Sequence, residues 1–315
     1  MNNLKKVGLT ALAASLVATS AFSAEWGLSG SAGITIENNS QSASGKAFSM
    51  PNSIYITGSG ETDGGLTISA SYEMDQGTSN NSSLGFDNHS VSVGSDAMGT
   101  LTLHGHGGSS AQSALDTTAA GDLWDNGFGI STAHDPSSSK TSDNMLYYSL
   151  PSLVDGLGAA VSYTPDGTGH QSSTAFSLTY SGIEGLSVSY GYGDDNSSVG
   201  VDADATTIKA SYAVGSFTLG LSNTDYSTTT ASSDQDVTSW NVAYTVSDSI
   251  SVAYGSETHE LEGSATDIEV SGLSASYTAG GMTISAASIE ADNVGHSTDA
   301  TADREYWKLG ASFAF

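Results

Sequence analysis

Hydrophobic and polar residues alternate along most of the 315-residue chain. The segment GLTISASYEM (65–74) places an apolar or aromatic residue at every second position, with Ser, Thr or Glu between them. The same alternation recurs in GLSVSYGYG (185–193), TSWNVAYTV (238–246) and YWKLGASFAF (306–315). Successive side chains of a β-strand point to opposite faces, so this period predicts strands with one apolar and one polar face. No long segment shows helical periodicity, and we therefore expect an all-β protein.

The alternation predicts about 16 strands, joined by connections of two kinds. Long polar stretches, such as 194–204 and 225–236, alternate with short turns, such as VSDS (246–249) and TAGG (278–281). Long connections at one end and short turns at the other describe an antiparallel up-and-down meander. The predicted strands lie near residues 25–37, 48–59, 65–74, 85–94, 99–107, 144–151, 157–164, 174–181, 186–193, 205–214, 216–224, 237–246, 249–255, 267–278, 281–289 and 304–315.

The composition of the two faces favours a transmembrane barrel. Tyrosines recur near strand ends on the apolar face, as in SASY (69–72) and AVSY (160–163), although tyrosine is common in strands of every kind. Amphipathic rings at strand ends suit a membrane–water interface. The opposite face is mostly Ser, Thr, Asn and Gly. A closed barrel with an apolar exterior and a wet interior accounts for both faces, and about 16 strands leave an aqueous channel.

The N-terminal segment has the pattern of an export signal. Lys5 and Lys6 precede an apolar stretch (7–17), and small residues follow in AFSA (21–24). We predict cleavage after Ser23, with cleavage after Ala24 as the second candidate, so that residues 1–23 are a signal peptide and residues 24–315 form one β-barrel domain. The chain contains no cysteine, which excludes disulfides and thiolate metal sites.

Charged residues are sparse and strongly acidic in balance. Seven Lys and Arg stand against 34 Asp and Glu, which argues against nucleic-acid binding and favours attraction of cations. Five positive side chains lie beyond the predicted signal: Lys46, Lys140, Lys209, Arg304 and Lys308.

The chain resembles the Gram-negative general porins common in alphaproteobacteria. The resemblance is carried by the export signal, the strand meander, the terminal SFAF and the segment NMLYYSLPSLVDGL (144–157). In the last of these, Asn144, Tyr148, Pro151 and Ser152 match the family pattern, but Tyr147 stands where the family commonly has Arg. The resemblance implies a homotrimer in the outer membrane, in contact with lipid and lipopolysaccharide. It also implies that the assembly machinery recognises the aromatic terminus, here Phe313 and Phe315.

The connection over 108–143 is much longer than the others, and such loops are usually functional. The resemblance implies that this third long loop folds into the lumen and narrows the channel. Trp124 and Phe128 are candidates either for pinning it to the wall or for packing within the loop. Its candidate constriction residues are the carboxylates Asp116, Asp122, Asp125 and Asp135.

Two histidines precede this loop in TLTLHGHGG (100–108). Positions i and i+2 share a face of a strand, so His104 and His106 are expected to line the pore wall together with Tyr147. Two imidazoles without a third ligand do not make a secure metal site, so we interpret them as a pH-dependent patch of wall.

These features predict a water-filled pore for passive diffusion of ions and small hydrophilic solutes, with a preference for cations. Two alternatives remain at this point: a barrel that is substrate-selective or displays loops as an adhesin does, and an outer-membrane hydrolase. The hydrolase is the weaker of the two because no G-x-S-x-G context is present. No cofactor is expected, although the acidic segment DDNSSVGVDAD (194–204) offers a weak possibility of Ca²⁺ binding.

Overall fold

A computed structural model describes residues 25–39, 47–75, 86–125, 136–140, 143–169, 171–196, 200, 202–299 and 301–315. The predicted signal peptide (1–23) lies outside these residues, and so do Asp135 and Phe128. Within the described ranges, no helix is long and apolar enough to cross a membrane.

The chain forms strands throughout, with two short 3₁₀ helices in the long connection after the sixth strand. The helices are η1 (Ser113–Leu115) and η2 (Leu123–Asp125). The strands are β1 (Glu25–Asn39), β2 (Ala47–Ser49), β3 (Asn52–Glu61), β4 (Thr67–Asp75), β5 (Phe86–Ser95), β6 (Gly99–His106), β7 (Met145–Ser149), β8 (Leu157–Thr164), β9 (Ser173–Ile183), β10 (Leu186–Asp194), β11 (Ala203–Val214), β12 (Phe217–Thr228), β13 (Gln235–Ser247), β14 (Ile250–Leu261), β15 (Ile268–Ala279), β16 (Met282–Asp292) and β17 (Arg304–Ala314).

These strands make one closed antiparallel barrel. From β3 to β17 each strand pairs with the next strand in the sequence, and β1 closes the sheet by pairing with both β3 and β17. β2 and β3 both pair with β1 and are separated by Met50 and Pro51, so together they occupy one of 16 positions in the barrel. The predicted strand over 48–59 is therefore interrupted, because proline has no N–H to give to the ladder.

Several strands run further into the long connections than the alternation predicts. β12 continues to Thr228 and β14 to Leu261, so parts of the predicted loops 225–236 and 256–266 are strand. Polar residues replace the apolar ones in these extensions, but the backbone pairing between β12 and β13 continues from Phe217↔Tyr244 to Tyr226↔Gln235.

The two faces of the sheet differ as the alternation predicts. Residues that oppose each other across a ladder share a face. Leu221 opposes Trp240 on the apolar face, and both are exposed. Ser222 opposes Ser239 on the polar face, where both are buried.

A small hydrophobic cluster interrupts the polar face at one end of β15–β17. It is formed by buried residues whose phase is opposite to that of the outward-facing Leu273 and Tyr277 on β15. We call it the inward cluster, and its members are Ile268, Val270, Ile289, Ala291, Val294 and Tyr306.

Candidate functional site

The described part of the long connection, residues 107–125 with 136–140, lies against the polar face of the barrel. The Ala111 amide donates to Ser162 Oγ on β8 (2.9 Å), Ala119 to Ser222 Oγ on β12 (2.8 Å) and Ala120 to Ser239 Oγ on β13 (2.9 Å). The small hydroxyl side chains of the wall therefore satisfy the backbone of a segment that has little regular structure of its own.

Glycines in the wall let this segment approach closely. A Cβ placed on Gly255 of β14 would lie 2.8 Å from Ala120 Cβ, and one on Gly191 of β10 would lie 3.1 Å from Gln112 Cα. Gln112 is fully buried, and its amide donates to Thr207 Oγ1 on β11 over 2.8 Å. The contacts of residues 111–123 thus extend from β8 across to β15.

Glu257 on β14 holds the far end of the segment. Its buried carboxylate accepts hydrogen bonds from the Thr118 hydroxyl, from the Leu123 amide (2.8 Å) and from the Trp124 amide (3.2 Å). His259 Nε2 lies 3.5 Å from Glu257 Oε2 and makes no hydrogen bond among the described residues. Hydrogen bonds to a buried charge are among the stronger ones in proteins, so Glu257 is a fixed attachment point.

Apolar packing holds the same end of the segment. Leu123 and Trp124 pack against the inward cluster, and the Trp124 ring meets the His259 ring edge-on at 6.4 Å. The inward cluster therefore provides an apolar surface on which η2 packs, within an otherwise polar face. Of the two roles open to Trp124 from the sequence, the structure shows contact with the wall.

The two predicted acids near the tip point into the space between the loop and the wall. Asp116 and Asp122 line a cavity of about 70 Å³ together with Thr224 of β12 and Val237 of β13. Burial raises the pKa of the Asp116 carboxyl, against hydrogen bonds from Ser138 and Ser113 that lower it.

Burial also raises the pKa of Asp122, against the Thr118 hydrogen bonds that lower it; the Thr118 amide donates to its Oδ1 over 2.8 Å. Lys209 Nζ on β11 donates to the Thr117 carbonyl beneath the segment. Asp125 is exposed, and Asp135 lies outside the described residues.

A β-bulge separates the two histidines that were expected to share a face. His104 opposes Ser90, whereas His106 opposes His89, so Gly105 is an additional residue on β6 between the two pairs. Ser90 lies on the polar face, and His89 shares its phase with the exposed Val91 and Val93. By this register the two histidines follow different faces, although both border one recess between β3 and β6.

The surroundings of the two rings agree with this assignment. The His104 ring contacts the Tyr147 ring at 6.3 Å, and Tyr147 packs against the buried cluster of Ala111, Ala160 and Ala175. The His106 ring stacks on His89 at 6.5 Å, and its Nδ1 lies 2.6 Å from Asp143 Oδ1. His106 is the last residue of β6, before the long connection, and Asp143 lies near the end of that connection, before β7.

The polar face of β3–β6 carries a carboxylate that the alternation alone did not single out. The Tyr55 hydroxyl donates to Glu73 Oε1 (2.6 Å), and the Asn88 amide donates to Glu73 Oε2 (2.6 Å). Tyr55, Glu73 and Asn88 oppose one another across β3, β4 and β5, so they share the polar face. The sequence does contain a signal for this position, because Glu73 falls in phase with Ser69 and Ser71 on the polar side of SASYEM (69–74).

The C-terminal aromatic residues lie where the barrel closes. Phe313 opposes Ala32 of β1 and is exposed on the apolar face. Phe315 exchanges two backbone hydrogen bonds with Gly30, of 2.8 and 3.0 Å. In the described ranges, no group of three or more His, Asp or Glu side chains is arranged to hold a metal ion.

Comparison with known proteins identifies the family. A profile of the family described as Gram-negative porin matches residues 8–267, whereas comparison with curated protein sequences found no significant match. Among solved structures, the anion-selective porin from Comamonas acidovorans is similar with a TM-score of 0.69 and 16% identity, over 93% of this chain and 100% of that one.

Two further structures give the same result. A mutant of the Rhodobacter blastica porin has a TM-score of 0.70 and 17% identity, over 92% of this chain and 100% of that one. A loop-deletion mutant of OmpT, an outer membrane protein of Vibrio cholerae, has a TM-score of 0.70 and 15% identity, over 93% of this chain and 99% of that one. With its closed barrel and a family match over most of its length, the chain belongs to the Gram-negative porins, which are outer-membrane channels and not enzymes.

Proposed function

We propose that the polar face lines a water-filled channel through which ions and small hydrophilic solutes diffuse passively, and that the segment 107–125 narrows it. The observation that carries this proposal is the attachment of that segment across β8–β15 by wall hydroxyls and by Glu257. A loop attached at these points reduces the cross-section of the channel without closing it, because the space in front of the polar face of β3–β6 stays open.

We further propose that the channel prefers cations. Glu73 stands on the wall of β4, and Asp116 and Asp122 add negative charge beneath the loop. Lys209 is a positive charge that acts on Asp116 and Asp122, and its ammonium donates a hydrogen bond to the Thr117 carbonyl. Carboxylates that exceed the basic groups of a pore raise the local concentration of cations. The Comamonas acidovorans porin is anion-selective, so the side chains of each porin must set the sign.

The reversal potential across a KCl gradient tests the charge preference. Purified protein is inserted into a planar bilayer, and the zero-current potential is read at tenfold different concentrations on the two sides. We expect the sign that corresponds to K⁺ preference, weakening at high salt as screening increases. A potential of the opposite sign would overturn the cation proposal and leave the channel proposal standing.

Five assignments made from the sequence remain part of this proposal. The first 23 residues act as a cleaved export signal, and the mature chain assembles as a homotrimer in contact with lipopolysaccharide. Phe313 and Phe315 are recognised by the outer-membrane assembly machinery, and their exposure at the barrel seam keeps them accessible to it. His104 and Tyr147 belong to the channel wall, and Asp125 faces the channel from the loop tip.

A further inference from the structure

His259 of β14 lies on the polar face beneath the tip of the long connection, and it is only 4% exposed. It opposes Val237 of β13 and Ile268 of β15, which are both buried. Its Nε2 atom is buried and makes no hydrogen bond with any of the described residues. Native proteins seldom leave such an atom unsatisfied, so the polar group beside it indicates what it can bind.

The polar group beside this ring is the Glu257 carboxylate. Nε2 of His259 lies 3.5 Å from Glu257 Oε2, and the Glu257 side chain is completely buried. The carboxylate accepts hydrogen bonds from the loop tip, but it forms no ion pair with a Lys or Arg of the described chain. A buried carboxylate without a counter-charge is costly, and protonation of His259 would place one beside it. We call Glu257 and His259 the docking pair.

The other charged groups near the docking pair are mostly acidic. On the loop, Asp122 repels Glu257 electrostatically, and the exposed Asp125 ends η2. Tyr306 of β17 lies in the inward cluster, and the residues of β13 and β15 opposite the imidazole are apolar. Lys209 acts on Asp122, and its ammonium is bound by a loop carbonyl. The described surroundings thus favour a positive charge between the wall and the loop tip.

The loop tip controls whether water reaches the docking pair. Thr118, Leu123 and Trp124 donate to Glu257, and the Trp124 ring contacts the His259 ring at 6.4 Å. Glu257 is buried whether or not the imidazole is charged, so its desolvation does not count against the pair. When the tip leaves the wall, both members of the pair become hydrated and the attraction between opposite charges falls steeply. An ion pair between Glu257 and His259 therefore stabilises the docked loop more than the open one.

We propose that His259 is a positioning residue whose protonation holds the tip of the long connection on the barrel wall. Below the range in which imidazole titrates, the ion pair with Glu257 is complete and the tip is held; as the pH rises through that range, docking weakens. The residue acts through Glu257, and its effect on the current rests on the proposed narrowing of the channel by residues 107–125. At mildly alkaline pH, the looser tip should add slow fluctuations to the current.

Labelling of a single thiol at different pH values tests the proposal. Leu123→Cys gives this otherwise cysteine-free chain one thiol at the loop tip, and a low reagent concentration makes the labelling rate proportional to the open population. Division by the rate of a free thiol peptide at the same pH removes the ionisation of the thiol itself. We expect the normalised rate to rise about tenfold between about pH 5.5 and about pH 8.5, the usual worth of a charge-assisted hydrogen bond.

His259→Gln should lose most of this rise, and so should Glu257→Gln, because each removes one member of the docking pair. Any contribution of the loop carboxylates is common to the parent and His259→Gln, so the difference between these two belongs to His259. His89→Gln removes an imidazole from β5 instead, and it should label as the parent does. A parent rate that does not rise, or an equal rise in the parent and His259→Gln, would overturn the proposal. Absence of any KCl conductance would instead refute the channel proposal, since labelling reports docking whether or not the pore conducts.

Discussion

Replacing Glu257 by alanine should release the tip of the long connection from the wall. Glu257 accepts hydrogen bonds from Thr118, Leu123 and Trp124, all within one short stretch of the loop. Alanine removes the acceptor and leaves these donors facing an apolar surrounding beside the inward cluster. Local opening of residues 118–124 should therefore become far more frequent, while the barrel ladder stays intact.

The size of the effect follows from the burial of the carboxylate. Leaving a buried donor without an acceptor costs about 1–3 kcal/mol, and Glu257 accepts from the three donors Thr118, Leu123 and Trp124. Water that enters the space left by the side chain satisfies part of these donors, so we take the lower end of about 1 kcal/mol for each of the three, about 3 kcal/mol together. Each 1.4 kcal/mol is a factor of ten, which corresponds to an increase of about 100-fold in the open population.

Thiol labelling measures this opening directly, because the chain contains no native cysteine. Leu123→Cys places one thiol against the inward cluster. At a reagent concentration low enough for reclosing to outpace modification, the labelling rate is proportional to the population in which the tip is open. Glu257→Ala in this background should raise the rate about 100-fold and add slow fluctuations to the single-channel current.

Glu260→Ala is the control on the same strand, since Glu260 is exposed and three residues further along β14. It should leave the labelling rate within about twofold of the parent. A Glu257→Ala variant that labels no faster than Glu260→Ala would refute the conclusion that Glu257 holds the loop.

Three further predictions concern other parts of the molecule. Burial raises the pKa of Asp116 above its ordinary value of 3.8, so the docked loop binds a proton more tightly than the open loop and docking weakens as the pH rises above that value. In the Leu123→Cys background at neutral pH, Asp116→Asn should therefore lower the labelling rate. The difference between this variant and its parent should vanish in acid. Phe315→Ser should lower the amount of barrel in the outer membrane several-fold by quantitative blotting, whereas an equal change at the exposed Leu153 should not. Mass spectrometry of the mature protein should give a chain that begins at Ala24, and a mass that includes residues 1–23 would contradict the signal assignment.

The strands were predictable because one rule governs them. The polar face contacts water or the loop, and the apolar face is exposed on the outside of the barrel. Polar and apolar residues therefore alternate along almost every strand. The break at Pro51 follows from the missing proline N–H and was also readable. The inward cluster left a signal as well, since the apolar phase of IEVSGLSASY (268–277) changes sides at Gly272, where Leu123 packs.

The candidate site was less accessible from sequence because it depends on pairing. The bulge at Gly105 changes the face of His106, and a bulge is defined only by the register of two strands. Glu257 was assigned to a loop because acidic residues hide the alternation at the end of β14. Asp116 and Asp122 were correctly placed on the long connection, but whether they face the channel or the wall depends on how the loop packs.

Single-channel conductance combined with solute uptake into liposomes tests the central claim most directly. A water-filled pore predicts a conductance that rises with KCl concentration, and uptake of small neutral sugars that falls smoothly with their size. Glu257→Ala should alter the fluctuations of the current without abolishing it. Folded barrel protein that neither conducts ions nor admits the smallest sugars would contradict the account.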